Sequence, residues 1–468
     1  MKALKDVVPT PEQLALFSRV RPGVELIRGA AGSGKTTTAL LKLKAAVGFY
    51  VNRVKRSPAK RQVKVLVLTF NRTLRGYIAE LARSQFVEGN EISLEISTFS
   101  SWAKAMVGAG DVLGAAQSQG ILQAFAAGGT IDPEFAAEEA MYVLGRFMPD
   151  QVDEYLSTKR VGRGLVPRME RTQRSVLLKS VVEPYVQHKK NHGLLDWNDL
   201  AVLAAEQSEE IYDVVVIDEA QDFSANEMRA VVAKLRGDHT ICIVLDAAQR
   251  IYARSGFGWS EVGLHVKSEN SFRLDVNYRN TKQIAAFATG ILDGIDPGDD
   301  GALPDFTKAK VDGDLPVILK GTFGRQMDWV MQFISEKVDL SEESVAFLHP
   351  AGGGWFRHIR ETLDNAGIGY AEISRKADWP DGAESIALST MHSAKGLEFD
   401  YVIMLGISSE NMPLDDESTD DEAHHRARRL LAMAVGRARR QVVIGYKPEQ
   451  ASEISAFFKD ELCRVINL

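Results

Sequence analysis

The sequence predicts an α/β protein built on two parallel sheets, with a helical insertion in its first half. Nine short apolar runs rich in β-branched residues, at 24–27, 63–68, 214–217, 241–245, 317–319, 345–348, 386–388, 402–405 and 442–444, have the unbroken hydrophobicity of strands buried on both faces. Longer segments of helical spacing separate most of them, which is the rhythm of alternating strand and helix. Over 102–192 that rhythm stops, and alanine, leucine and charged residues take over.

In chain order, run 24–27 leads through a glycine-rich turn into the helical pattern of 37–47 and then to run 63–68. Within 102–192 the helical patterns are clearest at 135–147 and 174–190, and the uncharged Ala/Gly-rich stretch 112–131 reads as helix and turn. Runs 214–217 and 241–245 return to the first sheet. After a loop at 255–271, a second α/β unit begins near Asn277, and the Asp-, Gly- and Pro-rich 293–316 reads as an exposed connection. The expected division is 1–101 with 193–270 as a first α/β unit, 102–192 as the helical insertion, and 271–468 as the second unit.

A chain of 468 residues predicts about three domains. With 45% hydrophobic residues it has enough apolar surface for sizeable cores, which excludes disorder as the main state. No run of 18 or more apolar residues occurs, and the start, Met1 to Asp6, lacks the apolar stretch of a secretory signal, so the expectation is a cytoplasmic protein without a membrane partner. Cys242 and Cys463 are too few for a disulfide framework and read as packing residues. The 56 Lys and Arg against 63 Asp and Glu give a net charge of −7, so any polyanion must be met locally. Two basic stretches (Arg53 to Lys64, Lys159 to Arg174) and an acidic one (Asp415 to Glu422) read first as solvated faces.

Gly29, Ala30, Ala31, Gly32, Ser33, Gly34, Lys35 and Thr36 fit the phosphate-binding loop, placed between a strand and the helix that Thr37 continues. Glycines let backbone N–H groups converge on phosphate oxygens, Lys35 adds charge at the β/γ-phosphates, and the Thr36 hydroxyl can ligate magnesium. Run 214–217 ends on Asp218-Glu219-Ala220-Gln221-Asp222. Two carboxylates at a strand end allow one, Asp218, to hold the metal and the other, Glu219, to act as general base on an attacking water.

Further blocks follow in order: Gln13 in Pro11-Glu12-Gln13; Thr69-Phe70-Asn71; Ser97-Thr98-Phe99; Leu195-Asp196-Trp197-Asn198-Asp199-Leu200; and Leu245 to Tyr252 with Gln249. Then come Asn277-Tyr278-Arg279, Thr390-Met391-His392-Ser393-Ala394-Lys395-Gly396-Leu397-Glu398-Phe399, and Arg428-Arg429-Leu430 with Val435-Gly436-Arg437-Ala438. Along nearly the whole chain this succession resembles superfamily 1 helicases of the UvrD/Rep/PcrA type. The resemblance implies two RecA-like P-loop domains and a helical insertion of the 1B kind, with ATP and Mg2+ as cofactors. It implies that Gln13 reads the adenine, that Tyr278 stacks on it and that Glu398 belongs to the nucleotide site. Gln249 would sense the γ-phosphate, and Arg279 and Arg437 would reach it from the second domain. Thr69, Phe70, Asn71, Thr98, Tyr252, Arg254 and His392 fall on DNA-contact positions, with ordinary hydrogen bonding inside the fold as the other reading of Thr69, Thr98 and His392.

The chain departs from the family in places. Ala253-Arg254-Ser255-Gly256 stands where an aromatic usually follows Tyr252; Arg254, or Phe257 or Trp259 from the next loop, is the candidate substitute. Ala432 and Gly436 replace the common Tyr and Thr, and Arg426 and Ala427 the usual acidic pair. Only 371–384 fills the interval where relatives carry the large 2B subdomain. The expected function is an ATP- and Mg2+-dependent translocase or helicase moving 3′ to 5′ on single-stranded or partly duplex DNA. The alternative is a regulatory DNA-sensing NTPase subunit controlling a protein partner, a nuclease or a repair or defence factor, for example in phage defence. The arginines of the second unit argue against a third reading, a P-loop kinase.

Overall fold

The computed structural model describes residues 13, 16, 20, 22–29, 33–58, 61–69, 75–76, 79, 91–160, 169–207, 209–245, 257–274, 279–295, 309, 311–374, 379–380, 382–412 and 421–468, the side chains of 421–424 excepted. Strand β1 (Gly23–Gly29) feeds α1 (Lys35–Arg56), which buries Ala39, Leu43, Ala46, Val47 and Tyr50 at helical spacing against the sheet. The sheet is completed by β2 (Val63–Thr69), β3 (Ile92–Thr98), β4 (Tyr212–Ile217), β5 (Leu235–Leu245) and β6 (Ser271–Leu274), in the order β3-β2-β4-β5-β1-β6. Every pairing in it is parallel. Strand β6 pairs with β1 through Leu26–Ser271 to Gly29–Leu274, so the expected boundary at 271 moves: residues 271–274 belong to the first sheet. Without β6, β1 would be the edge of this sheet.

Between β3 and β4 run α2 (Phe99–Val107), α3 (Ala115–Ala126), α4 (Pro133–Arg146), α5 (Arg171–Leu177), a π-helical turn (Leu178–Val182), α6 (Glu183–His192) and α7 (Trp197–Glu206). Leu122, Ala136, Ala140, Val143, Tyr155, Leu177, Val181 and Tyr185 make a core of their own, separate from both sheets. Helix α2 stays outside it. Its Phe99, Trp102 and Ala103 pack with the first sheet, and Trp102 Nε1 donates to Tyr212 Oη at 3.0 Å, so the separate helical body starts after α2 rather than at 102. Because Trp102 is only 1% exposed, Trp102→Ala should cost about 3–5 kcal/mol and visibly lower the thermal midpoint. An unchanged midpoint would mean that this layer does not hold the first sheet.

Past α8 (Ala225–Val232) and α9 (Lys282–Ile291), the second sheet takes β7 (Val317–Lys320), β8 (Val345–His349), β9 (Tyr370–Glu372), β10 (Ile386–Thr390), β11 (Phe399–Met404), β12 (Ala438–Tyr446) and β13 (Arg464–Asn467). Their order is β13-β7-β12-β11-β8-β10-β9, again with every pairing parallel. Helices α10 (Phe323–Lys337), α11 (Arg357–Asn365) and α12 (Asp421–Val435) accompany it. Strand β9 takes up 371–372 of the short interval before β10.

Most described side chains of the two basic stretches have structural partners. Arg53 pairs with Asp238, Lys55 with Glu91, and Arg61 grips the buried Asp213 through both terminal nitrogens at 2.7 and 2.5 Å. Arg160 pairs with the buried Glu139 at 2.8 Å, and Arg174 donates to the carbonyls of Met169, Tyr155 and Thr158. Residues 413–420 of the acidic stretch lie outside the described residues. Among the described residues no helix is long and apolar enough to cross a membrane.

Candidate functional site between the two sheets

Parallel strands of the first sheet end together, and their carboxyl ends carry the predicted chemistry. At the end of β1 a side chain on Gly29 would run into Ser33 and Lys35, so only glycine lets the loop fold back there. Gly34 has φ +75°, a left-handed conformation costly to other residues, and a Cβ on it would collide with the amide of Gln13. Gln13 is buried and donates Nε2 to the Gly34 carbonyl at 3.2 Å, which ties the N-terminal segment to the loop. Lys35 Nζ donates to the Gly29 carbonyl at 3.0 Å, Ser33 is buried, and Thr37 continues the first turn of α1.

Strand β4 delivers Asp218 and Glu219. Thr36 Oγ1 donates to Asp218 Oδ2 at 2.8 Å, across 182 residues of sequence, so a hydroxyl and a carboxylate meet at one point. These are hard oxygen donors, and Mg2+ is ordinarily held by one or two such groups together with phosphates and water. Burial, and the charge of Glu219 next to it, push the Asp218 carboxyl up to about 7. A divalent cation would supply the countercharge that this carboxylate lacks, so the residues fit the ion. Glu219 has φ +56°, alone among the described non-glycine residues in that region, a strained conformation of the kind that clusters at functional sites. Burial by itself would raise its carboxyl, but the ammonium groups of Lys395 and Lys35 and the guanidinium of Arg437 outweigh that and hold it below the usual carboxylate range.

Those three cations come from both sheets. Lys35 opens α1; Lys395 follows β10; Arg437 immediately precedes β12. Lys395 is 2% exposed, lies 3.4 Å from Glu219 and donates to Asp222 Oδ2. Gln221 Nε2 donates to the Glu219 carboxylate. Arg437 is likewise 2% exposed and donates Nε to the Met433 carbonyl at 3.1 Å. Arg279 pairs with Glu398; burial raises that carboxyl, and Arg279 more than reverses the effect. Asn280, next to Arg279, donates Nδ2 to the carbonyls of Gly436 and Ala438, which flank Arg437. Asn280 therefore ties the backbone next to Arg279 to the backbone on both sides of Arg437.

The structure brings Lys35, Thr36, Asp218, Glu219 and Arg437 together and adds Lys395, Asp222 and Gln221, which sequence reasoning quoted inside its blocks without assigning them to the site. Their signal was weak because an ion pair between residues 173 positions apart leaves no local pattern. Thr69 ends β2 with its hydroxyl buried, and His392 is exposed just past β10. Thr98 uses its hydroxyl to cap α2, accepting from Ser101 N and donating to Ser101 Oγ, which is the ordinary structural reading. Phe257 and Trp259 meet each other edge to face, and both pack against the core of the first sheet. Arg428 is spent on the carbonyls of Ile291 and Asp293, behind α9. Ala30, Ala31, Gly32, Phe70, Asn71, Gln249, Tyr252, Arg254 and Tyr278 lie outside the described residues.

Residues 10–257 match the family model described as the UvrD/REP helicase N-terminal domain, and 325–449 that of the UvrD-like helicase C-terminal domain. The ATP-dependent DNA helicase PcrA of Leuconostoc citreum is 30% identical over 97 residues, which are 19% of this chain and 13% of the relative. An ATP-dependent helicase/nuclease subunit of Lactococcus lactis subsp. cremoris is 25% identical over 185 residues, 34% of this chain and 15% of that protein. The exonuclease/helicase subunit RexA of the same subspecies is 24% identical over 185 residues, with the same shares. The chain thus spans 13–15% of the length of these curated relatives.

Proposed function

The chain belongs to the UvrD/REP helicase family, and from that premise we propose that it is an ATP-driven motor on single-stranded DNA, stepping 3′ to 5′. One observation carries the coupling: Glu219 of the first sheet sits in the field of Lys395 and Arg437 from the second. Nucleotide lying between the sheets would contact Lys35 on one side and Arg437 and Arg279 on the other, so binding it closes the two units and releasing its products lets them part.

In this reading Gly29 to Thr37 cradle the phosphates, with Gln13 and Tyr278 at the base and Gln249 at the γ-phosphate. Thr36 and Asp218 would hold Mg2+, which when bound neutralises charge on the phosphate oxygens. Glu219 takes a proton from the attacking water. Arg279, handed over from Glu398, and Arg437 stabilise charge on the transferring group. Lys395, reaching across from the second sheet, positions Glu219 and Asp222. Thr69, Phe70, Asn71, Tyr252, Arg254 and His392 are the proposed strand contacts. The domain division carries over as 1–101 with 193–274, the helical insertion within 102–192, and the remainder from 275, with 371–384 a short connection where 2B would stand.

The test is ATP turnover against single-stranded DNA, duplex, forked DNA and RNA. Single-stranded DNA should stimulate it strongly, and log affinity for the strand should fall linearly with log salt. Vigorous turnover that ignores every nucleic acid would overturn the reading. Two of the relatives are named as subunits, one helicase/nuclease and the other exonuclease/helicase, which supports a protein partner as part of the proposal. Full unwinding by the isolated chain would remove the need for one.

A further inference from the structure

Helix α4 of the helical insertion is fastened to the first unit at its carboxyl end. The buried Asn226 of α8 donates Nδ2 to the carbonyls of Leu144 and Phe147, both at 2.9 Å, and Arg229 of α8 donates to that of Arg146 at 2.6 Å. The buried Arg146 side chain reaches both carboxylate oxygens of Glu261, at 3.2 and 3.1 Å. Ser224, which caps α8, follows closely on Asp222, so α4 stands on the segment that carries Glu219. Helix α12 is fastened as firmly to the second unit. Arg428 donates to the carbonyls of Ile291 and Asp293, its guanidinium lies 3.6 Å from the centre of the Phe457 ring, and Met433 of the same helix accepts from Arg437 Nε.

Toward their amino ends the two helices meet. Arg426 Nη1 of α12 donates to Glu138 Oε1 of α4 at 3.4 Å, across 288 residues of sequence. Arg426 is one of the positions at which the chain departs from the family pattern, and here its charge faces the opposite one. The side chains are 45% and 28% exposed, so the pair is weak and open to salt. It lies roughly 14 Å along α12 from the end that leads to Arg437. The two units are thus joined by ion pairs at separate places: by Lys395 at Glu219 and Asp222, and by Arg426 on the helical insertion. Parting the units separates both pairs, but the second stands away from the residues assigned to the phosphates.

Resting on the reading that nucleotide closes the two units, we propose that Arg426 and Glu138 form a latch between the helical insertion and the second unit, which favours the closed arrangement and so raises affinity for ATP without entering the chemistry. An interaction made in the closed arrangement and lost in the open one shifts the population toward closure, and a ligand that needs closure then binds more tightly.

The experiment measures ATP affinity, and single-turnover hydrolysis at saturating ATP, for the full chain as parent, Arg426→Glu, Glu138→Arg and the double reversal. Each single reversal replaces an attraction by a repulsion and should weaken ATP binding by roughly two- to fivefold, while the double reversal returns it to within about twofold of the parent. That recovery also separates a lost contact from a lost fold. Hydrolysis at saturation should be the same in all four, and in about 1 M salt, where the screening length is about 3 Å, the differences in affinity should shrink. Parent-like affinity in the single reversals, a double reversal no better than the product of the singles, or differences undiminished by salt overturns the latch and leaves the motor reading standing. Slower hydrolysis at unchanged affinity overturns it too, because Arg426 would then act by placing Arg437. A parent that binds no ATP overturns both.

Discussion

Arg437→Ala is expected to lower the ATP turnover number by about a thousandfold or more while nucleotide affinity changes little, the signature of an arginine that acts only on the transferring phosphoryl group. The physical basis is its position. Arg437 is buried, its guanidinium reaches the carboxylate of Glu219 through the field between the sheets, and its own backbone is clasped on both sides by Asn280. If, as proposed, the first sheet supplies Lys35 to the phosphates, further charge developing on the γ-phosphoryl oxygens would be met from the second. Single-turnover hydrolysis and binding of a fluorescent nucleotide measure the two quantities separately. The backbone carbonyl of Arg437, which accepts from Phe399 N, survives the substitution, and Arg437→Lys keeps the charge while losing the planar fork. Hydrolysis within tenfold of the parent in Arg437→Ala would remove this residue from the chemistry.

Glu219→Gln should produce a chain that binds ATP and closes but hydrolyses it roughly a hundred to ten thousand times more slowly, the range for loss of a positioned general base. The amide keeps the shape and the strained turn, so the fold is little disturbed. Lys395 retains Asp222 as its partner, so the substitution strands no buried cation. Strand binding in the presence of ATP should persist in this variant, because the step removed comes after closure. If the variant hydrolyses ATP at the parent's rate, the base is another group and the strained conformation of Glu219 serves the fold alone.

All nine apolar runs are strands of the structure, because a strand buried on both faces must be apolar at every position and so marks itself in the sequence. Four strands did not mark themselves. In β3, Ile-Ser-Leu-Glu-Ile-Ser-Thr alternates because it is an edge strand; β6, β9 and β13 are edge strands of only three or four residues. Edge strands have fewer neighbours to bury against, and short ones carry too little pattern to be read.

The sequence by itself determined what depends on neighbours along the chain: the strand and helix periods, the glycines that let the phosphate loop turn, and the order of the motif blocks. Only the tertiary structure decided which charges meet. It put Lys395 on Asp222 and Glu219, spent Arg428, Arg160 and Arg174 on carbonyls and carboxylates of the fold, gave the Thr98 hydroxyl to a helix cap, and left Trp355 standing on His349. Periodicity reports whether a side chain faces inward or outward from its own element. It carries no term for the element on the other side, and the strength of a charge or an aromatic face depends on what is packed against it and how much water that excludes.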